Sequence, residues 1–218
     1  MKRSLLLILL LAFTALPLQA AEYVEGTHYA RLAVPVATQD PAKVEVVEVF
    51  SYACIHCKNF DPWIERWRAE QSEDVQFRRI PAVFDKTWET LARAFYAADV
   101  LGVSEKVHTP LFEAIHDKGV DLREPSLMAA LFEDAAGVPQ EQFEQVYNSM
   151  VLNARIANAH GLGRSYGISG VPTLIVGGRY RVDGRMAGSN TDMLAVADQL
   201  IAQILAEQAL DAAEPGAQ

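Results

Sequence analysis

An α/β domain interrupted by an all-helical insertion is the fold class this sequence predicts, on three observations. A β-rich run, Val44-Glu45-Val46-Val47-Glu48-Val49-Phe50, leads into a helical pattern and then into a second β-rich run at 75–80, the order of a βαβ unit. A long stretch from Trp88 to Gly161 then carries helix starts and stops and no strand signal. Two further β-rich runs return on either side of Gly177-Gly178, a strong signal for a two-residue hairpin. An antiparallel hairpin closing a partly parallel sheet around a helical block gives this architecture.

The elements follow in order. Residues 31–36 form a short strand candidate, closed by the turn-like Thr38-Gln39-Asp40-Pro41. The run from Val44 to Phe50 is dense in β-branched residues, as a strand buried on both faces should be. Phe60, Ile64 and Trp67 then fall three or four apart, with Glu65, Arg66 and Arg68 on the other side of a helix that Pro62 should kink or restart. Residues 75–80 alternate and stop at Pro81. Trp88 to Leu101 is Ala-rich and ends at Gly102, a C-cap residue. Ser104-Glu105-Lys106-Val107 and Glu124-Pro125-Ser126 are helix starts, Gly119 and Gly137 are stops, and 139–161 holds two helices or one bent one. Strands at 173–176 and 179–182 flank the Gly-Gly turn, and an amphipathic helix runs from Met193 to Leu205. The resulting organisation is a leader at 1–20, a first α/β half at 21–84, a helical insertion at 85–160, a second half at 161–209 and a disordered tail at 210–218.

The leader has its own logic. Met1-Lys2-Arg3 is a basic start, Leu5 to Leu16 is apolar but short for a bilayer, and Leu18-Gln19-Ala20 offers a small residue for cleavage. That is the pattern of a secretory signal peptide cleaved near Ala20, and no cysteine stands there to take a lipid. No second apolar run of membrane length is expected. The 218 residues are 50% hydrophobic and 22% charged, which excludes disorder and collagen-like repeats, and the net charge of −9 gives nucleic-acid binding no electrostatic support. The mature chain is read as exported to an oxidising compartment.

The chemistry centres on the only two cysteines, Cys54-Ile55-His56-Cys57, at the junction of the Val44–Phe50 strand and the next helix. The first turn of a helix has unpaired N–H groups and the positive end of the macrodipole, so a thiolate is favoured there. His56 can add a positive charge, and both effects lower the pKa of Cys54, whose thiolate is the reactive form. Cys57 lies one turn on, placed to close or resolve a disulfide. Three other readings stand beside redox catalysis: a structural disulfide, half of a zinc site, and inert core thiols. A four-residue loop gives a staple little leverage, about 1.9 kcal/mol in the chain-entropy model. A zinc site needs two more ligands, and His28, His108, His116 and His160 offer no pair at the usual spacing, so they read as surface or packing residues and no metal is expected. A C-x-x-C in a βαβ setting favours redox work.

Two residues accompany the pair. Pro172 precedes the returning strand, where a proline can be cis or trans. Glu48 is a carboxylate in an apolar run; buried, it would have a raised pKa and could exchange a proton with Cys57, and at an edge it would simply face solvent. Gly163-Arg164-Ser165-Tyr166-Gly167 fits the G-x-S-x-G pattern of hydrolases by chance, because a helix precedes it and no histidine follows it.

Over Tyr23 to Leu205 the chain resembles the DsbA family of bacterial periplasmic thiol:disulfide oxidoreductases. The resemblance rests on the segment from Glu48 to Cys57, on Leu111-Phe112-Glu113, and on Gly170-Val171-Pro172-Thr173. It implies a thioredoxin fold, a central mixed sheet flanked by helices, with the helical block inserted. It implies a cis Pro172 that packs with Val171 against the Cys54–Cys57 disulfide and contacts substrate, with Glu48 as the buried acid beneath. It implies a monomer whose only cofactor is that disulfide, donated to reduced, unfolded exported proteins through a mixed disulfide at Cys54 and restored by a quinone-linked membrane partner of the DsbB type. Two departures accompany it: Ile55 stands where the family usually has proline, and Ser72 to Asp74 stand where a lysine facing Glu48 is expected. The alternatives within reach are a reductase or isomerase of the same fold, and a peptide-binding chaperone module whose cysteines are incidental.

Overall fold

The computed structural model describes residues 22–213, so the expected signal peptide and residues 214–218 of the expected tail lie outside the described residues. The elements run β1 (Ala30–Arg31), β2 (Val44–Phe50), α1 (Ile55–Glu70), β3 (Val75–Pro81), α2 (Lys86–Val100), α3 (Ser104–His116), α4 (Pro125–Ala136), α5 (Gln140–Tyr147), α6 (Met150–Ser165), β4 (Thr173–Val176), β5 (Tyr180–Asp183), α7 (Gly184–Ala187) and α8 (Asp192–Ala213). The sheet order is β1-β5-β4-β2-β3. Strands β2 and β3 are parallel, and β4 pairs antiparallel with both β2 and β5. This is the mixed sheet with an inserted helical block that the sequence predicts.

Every residue of β2 is buried because helices cover both faces of the sheet. Val44 and Val46 pack with Phe60, Ile64 and Trp67 of α1 and with the apolar stripe of α8. Val47 and Val49 face the other way, onto Ala159 of α6, Tyr166 and Ile175. A third cluster joins Phe50, Tyr52 and Cys57 to Leu91, Val107, Leu111 and Phe112, so the helical insertion packs directly against the start of α1. Between β4 and β5 the turn holds three residues rather than the expected two, because Val176 pairs with Tyr180 and leaves Arg179 in the loop. Gly177 and Gly178 both adopt the left-handed conformation. At Gly178 a Cβ would sit 2.0 Å from the Val36 carbonyl oxygen, so only glycine fits the turn.

Five further expectations change. Of the strand read at 31–36 only Arg31 joins a ladder, together with Ala30 before it, because Pro35 cannot donate to one; Leu32 and Val36 instead donate singly to Arg179 and Gly178 carbonyls. Helix α1 is not restarted at Pro62, which sits on its exposed side within one continuous helix. The helical block runs to Ser165, five residues beyond the boundary at 160, because packing of Ala159 and Leu162 outweighs the low propensity of Gly161 and Gly163. Helix α8 continues through Ala213, so 210–213 of the expected tail are helical, in keeping with their Ala-rich sequence. That helix is also long and apolar enough to cross a membrane by length and composition, against the expectation of no such run. Its buried residues, from Met193 to Ile204, are part of the core.

Candidate active site

Cys54 is the N-cap of α1, in extended backbone conformation, and its side chain caps no backbone group of the helix. The N–H groups of the first turn therefore remain available to its sulfur. Both cysteines are free thiols, Cys54 partly buried and Cys57 only 1% exposed. Position alone separates the pair: the N-cap looks outward, and one turn on the chain has already entered the core.

The electrostatics separate them further. The Cys57 thiol, hydrogen-bonded to the Cys54 sulfur, is the largest influence lowering the Cys54 pKa from its ordinary 9.0 to about 6. Partial burial opposes this, and the backbone N–H groups of Cys57 and His56 add to it ahead of the His56 ring charge. His56 itself is exposed, so its contribution comes first from where its backbone points. Burial pushes the Cys57 thiol far in the opposite direction, and the negative charges of Cys54 and Glu48 push it further. Two thiols on one turn of helix thus favour opposite protonation states.

The Val171–Pro172 peptide bond is cis and lies beside this pair. When Cys54 is protonated its Sγ donates to the Val171 carbonyl at 3.4 Å. Pro172 is buried and Val171 partly so, and Thr173 Oγ1 ties the loop to the Gly170 carbonyl at 2.8 Å. Sequence-distant segments 54–57 and 170–173 are brought together because β4 pairs with β2, whose end feeds α1.

Glu48 is buried rather than at an edge, 2% exposed on the α1 side of β2. Burial raises its pKa, and the Arg79 guanidinium, donating to it at 2.7 Å, pulls the other way. Arg79 is the base that sequence reasoning missed. The parallel register of β2 and β3 sets Glu48 opposite Arg79, not opposite the Ser72 to Asp74 segment. Its guanidinium also reaches Asp61 at 2.9 Å and Glu65 at 2.7 Å. The signal available was a pair of arginines, Arg78 and Arg79, in the middle of a half-buried strand. Arg78 serves a second buried acid, Glu45, at 2.9 and 3.1 Å.

The network continues into the insertion. His108 Nε2 meets Asp61 at 2.9 Å, its Nδ1 meets the Tyr52 hydroxyl at 2.8 Å, and His116 Nε2 meets the Tyr52 carbonyl at 2.8 Å. Burial tends to raise the Asp61 carboxyl, but His108 and Arg79 outweigh it and hold the group below its ordinary range. His108 and His116 are thus packing residues of a specific kind, fastening α3 to the loop that presents Cys54. Replacing His108 with Ala leaves the buried Tyr52 hydroxyl and Asp61 each short of a partner. Urea unfolding is expected to show a loss of about 1–3 kcal/mol, and an unchanged midpoint would mean that water satisfies both groups. His28 pairs locally with the Val24 N–H, and His160 with Arg164, both away from Cys54. Ser165 of the G-x-S-x-G pattern ends α6, with no strand before it. Among the described residues no cluster of potential metal ligands occurs.

Comparison with known proteins agrees with this geometry. Residues 45–200 match the family described as DSBA-like thioredoxin domain. The thiol:disulfide interchange protein DsbA of Pseudomonas aeruginosa is 39% identical over 202 residues, covering 91% of this chain and 95% of that protein. Its namesake in Azotobacter vinelandii is 39% identical over 209 residues, covering 92% and 97%. A crystal structure of Pseudomonas aeruginosa DsbA superposes with a TM-score of 0.81 at 38% identity, covering 85% of this chain and 96% of that one.

Proposed function

The chain belongs to the DSBA-like thioredoxin family, and from that membership we propose that it donates the Cys54–Cys57 disulfide to reduced proteins in the periplasm. It is a protein disulfide oxidoreductase, and the observation that carries the oxidising direction is the opposed protonation of its two sulfurs.

The steps follow from the site. A client thiolate attacks Cys54 Sγ of the oxidised pair, and a mixed disulfide forms as the Cys54–Cys57 bond breaks. Cys57 leaves as a thiolate in a buried position that disfavours its charge, so it takes up a proton. Glu48, inward of it and raised by burial, is placed to mediate that transfer. A second client thiolate then attacks the client sulfur. Cys54 leaves as a thiolate stabilised by the Cys57 thiol and the helix N–H groups, which makes it a good leaving group. The client loses two electrons and the enzyme cysteines gain them. Val171 and Pro172 flank the reacting sulfur and are the residues against which client backbone docks.

The dithiol is the only redox group this cycle requires. A DsbB-type membrane partner would reoxidise it, the leader would direct export with cleavage near Ala20, and a monomer suffices because one chain supplies every group named. The test is oxidation of a reduced two-cysteine peptide by the oxidised full chain, followed by mass spectrometry. Stoichiometric peptide disulfide is expected from the unmodified protein, and none from Cys54→Ala. An unmodified chain that binds the peptide but forms no peptide disulfide, with binding unchanged in Cys54→Ala, would instead favour a chaperone module.

A further inference from the structure

We infer that the cleft beside Cys54 selects client segments carrying carboxylates next to the reacting cysteine. This rests on the oxidoreductase reading above and adds to it a substrate class. The cleft, about 340 Å³, runs from His56 along the loop holding Val171 and Pro172 to Arg181, Asp183 and Arg185. Strand β5 alternates, so Arg181 and Asp183 share the face turned away from buried Tyr180 and Val182, and Arg185 follows on α7.

The charges of this cleft are not matched from within. Asp183 is its one carboxylate, and Oδ1 of that group accepts the backbone N–H groups of Arg185 and Met186 at 3.1 and 3.0 Å. Arg181 donates from Nη1 to the Gly167 carbonyl at 2.6 Å, while its Nε is buried without a hydrogen-bond partner. The Arg185 side chain is exposed and makes no hydrogen bond, ion pair or ring contact with any described residue. Every other arginine among the described residues makes at least one: Arg66 stacks on Trp63, Arg93 binds Asn153, and Arg164 meets His160. A chain with 28 acidic and 19 basic side chains has carboxylates in excess, yet these two guanidinium groups, in a cleft that also holds His56 and Val171, meet none among the described residues. Guanidinium forks fit carboxylates in two-point contacts, and a peptide side chain is the source of carboxylate that arrives with the client thiol.

The experiment compares reduced peptides identical except that the residues flanking the cysteine are Glu, Ser or Lys, with rates against the oxidised full chain expressed per thiolate. At low salt the Glu peptide is expected to react roughly three- to tenfold faster than the Lys peptide, an advantage that shrinks towards about 0.5 M salt. In Arg185→Glu the ratio is expected to fall to one or invert. Equal rates, a preference for Lys as the net charge of −9 alone would give, or an unchanged ratio in Arg185→Glu would overturn the inference. Failure to oxidise even the Ser peptide would sink the oxidoreductase reading itself, and this inference with it.

Discussion

Replacing Arg79 with alanine is expected to destabilise the fold by about 3–5 kcal/mol at neutral pH, the loss seen when one partner of a buried ion pair is removed. Arg79 is 11% exposed and is held by three carboxylates, Glu48 at 2.7 Å, Asp61 at 2.9 Å and Glu65 at 2.7 Å. Without it, Glu48 must either carry an unpaired charge in the core or bind a proton. Either way its folded pKa, already raised by burial, climbs further. A carboxyl raised in the folded state stabilises below its unfolded pKa and loses that contribution as pH rises through the folded value. The deficit of Arg79→Ala is therefore largest at pH 7 and above and shrinks towards pH 4. Urea titrations at pH 7 and pH 4 measure both quantities. The combined Glu48→Gln, Arg79→Met variant should recover part of the loss, because it removes the buried Glu48 charge with its partner while Asp61 keeps His108 and Glu65 keeps Arg68. A single variant as stable as the parent at pH 7 would mean that water reaches Glu48.

The second large effect concerns the cysteines. Raising pH from 5 to 8 should stabilise the reduced form over the oxidised form by about 2–3 kcal/mol, at about 1.36 kcal/mol per pKa unit. Cys54 is lowered from 9.0 to about 6 in the folded chain. A depressed acid contributes fully above its unfolded pKa, and the contribution is lost as pH falls through the folded pKa. The window of change thus lies between about pH 6 and 9, and pH 5 sits below it. Cys57, pushed the other way, stays protonated throughout this range. The oxidised form has no thiol to titrate, so the terms common to both forms cancel. Denaturant unfolding of the two forms at pH 5, 6.5 and 8 reads the difference directly. A difference that does not change with pH would deny the Cys54 thiolate its place in the energetics.

Local signals carried most of the architecture. The strand Val44–Phe50 and the hairpin around Gly177-Gly178 follow from β-branched density and turn chemistry; the strand forms where the pattern puts it, and the hairpin forms with Arg179 in the loop and its second strand one residue later. The cysteine pair at the start of a helix was equally legible, since the physics of an N-cap is local. What was not legible depended on register. Glu48 meets Arg79 only because two parallel strands align as they do, and no periodicity within either strand encodes that alignment. His108 joins Asp61 to Tyr52 through the packing of α3 against α1, a contact between segments some fifty residues apart, as sequence separations of 47 and 56 attest. Gly161 misled for the opposite reason: local propensity argued for a break that tertiary packing overrode.

The oxidising direction depends on the protonation of one sulfur. Ultraviolet thiolate absorbance of the reduced full chain, followed from pH 3 to pH 10, measures it without reference to any client. A midpoint near 6 is predicted, and in Cys57→Ala it should move up, because the Cys57 thiol is the largest influence holding it down. A midpoint near 9.0, unmoved by that substitution, would contradict the account.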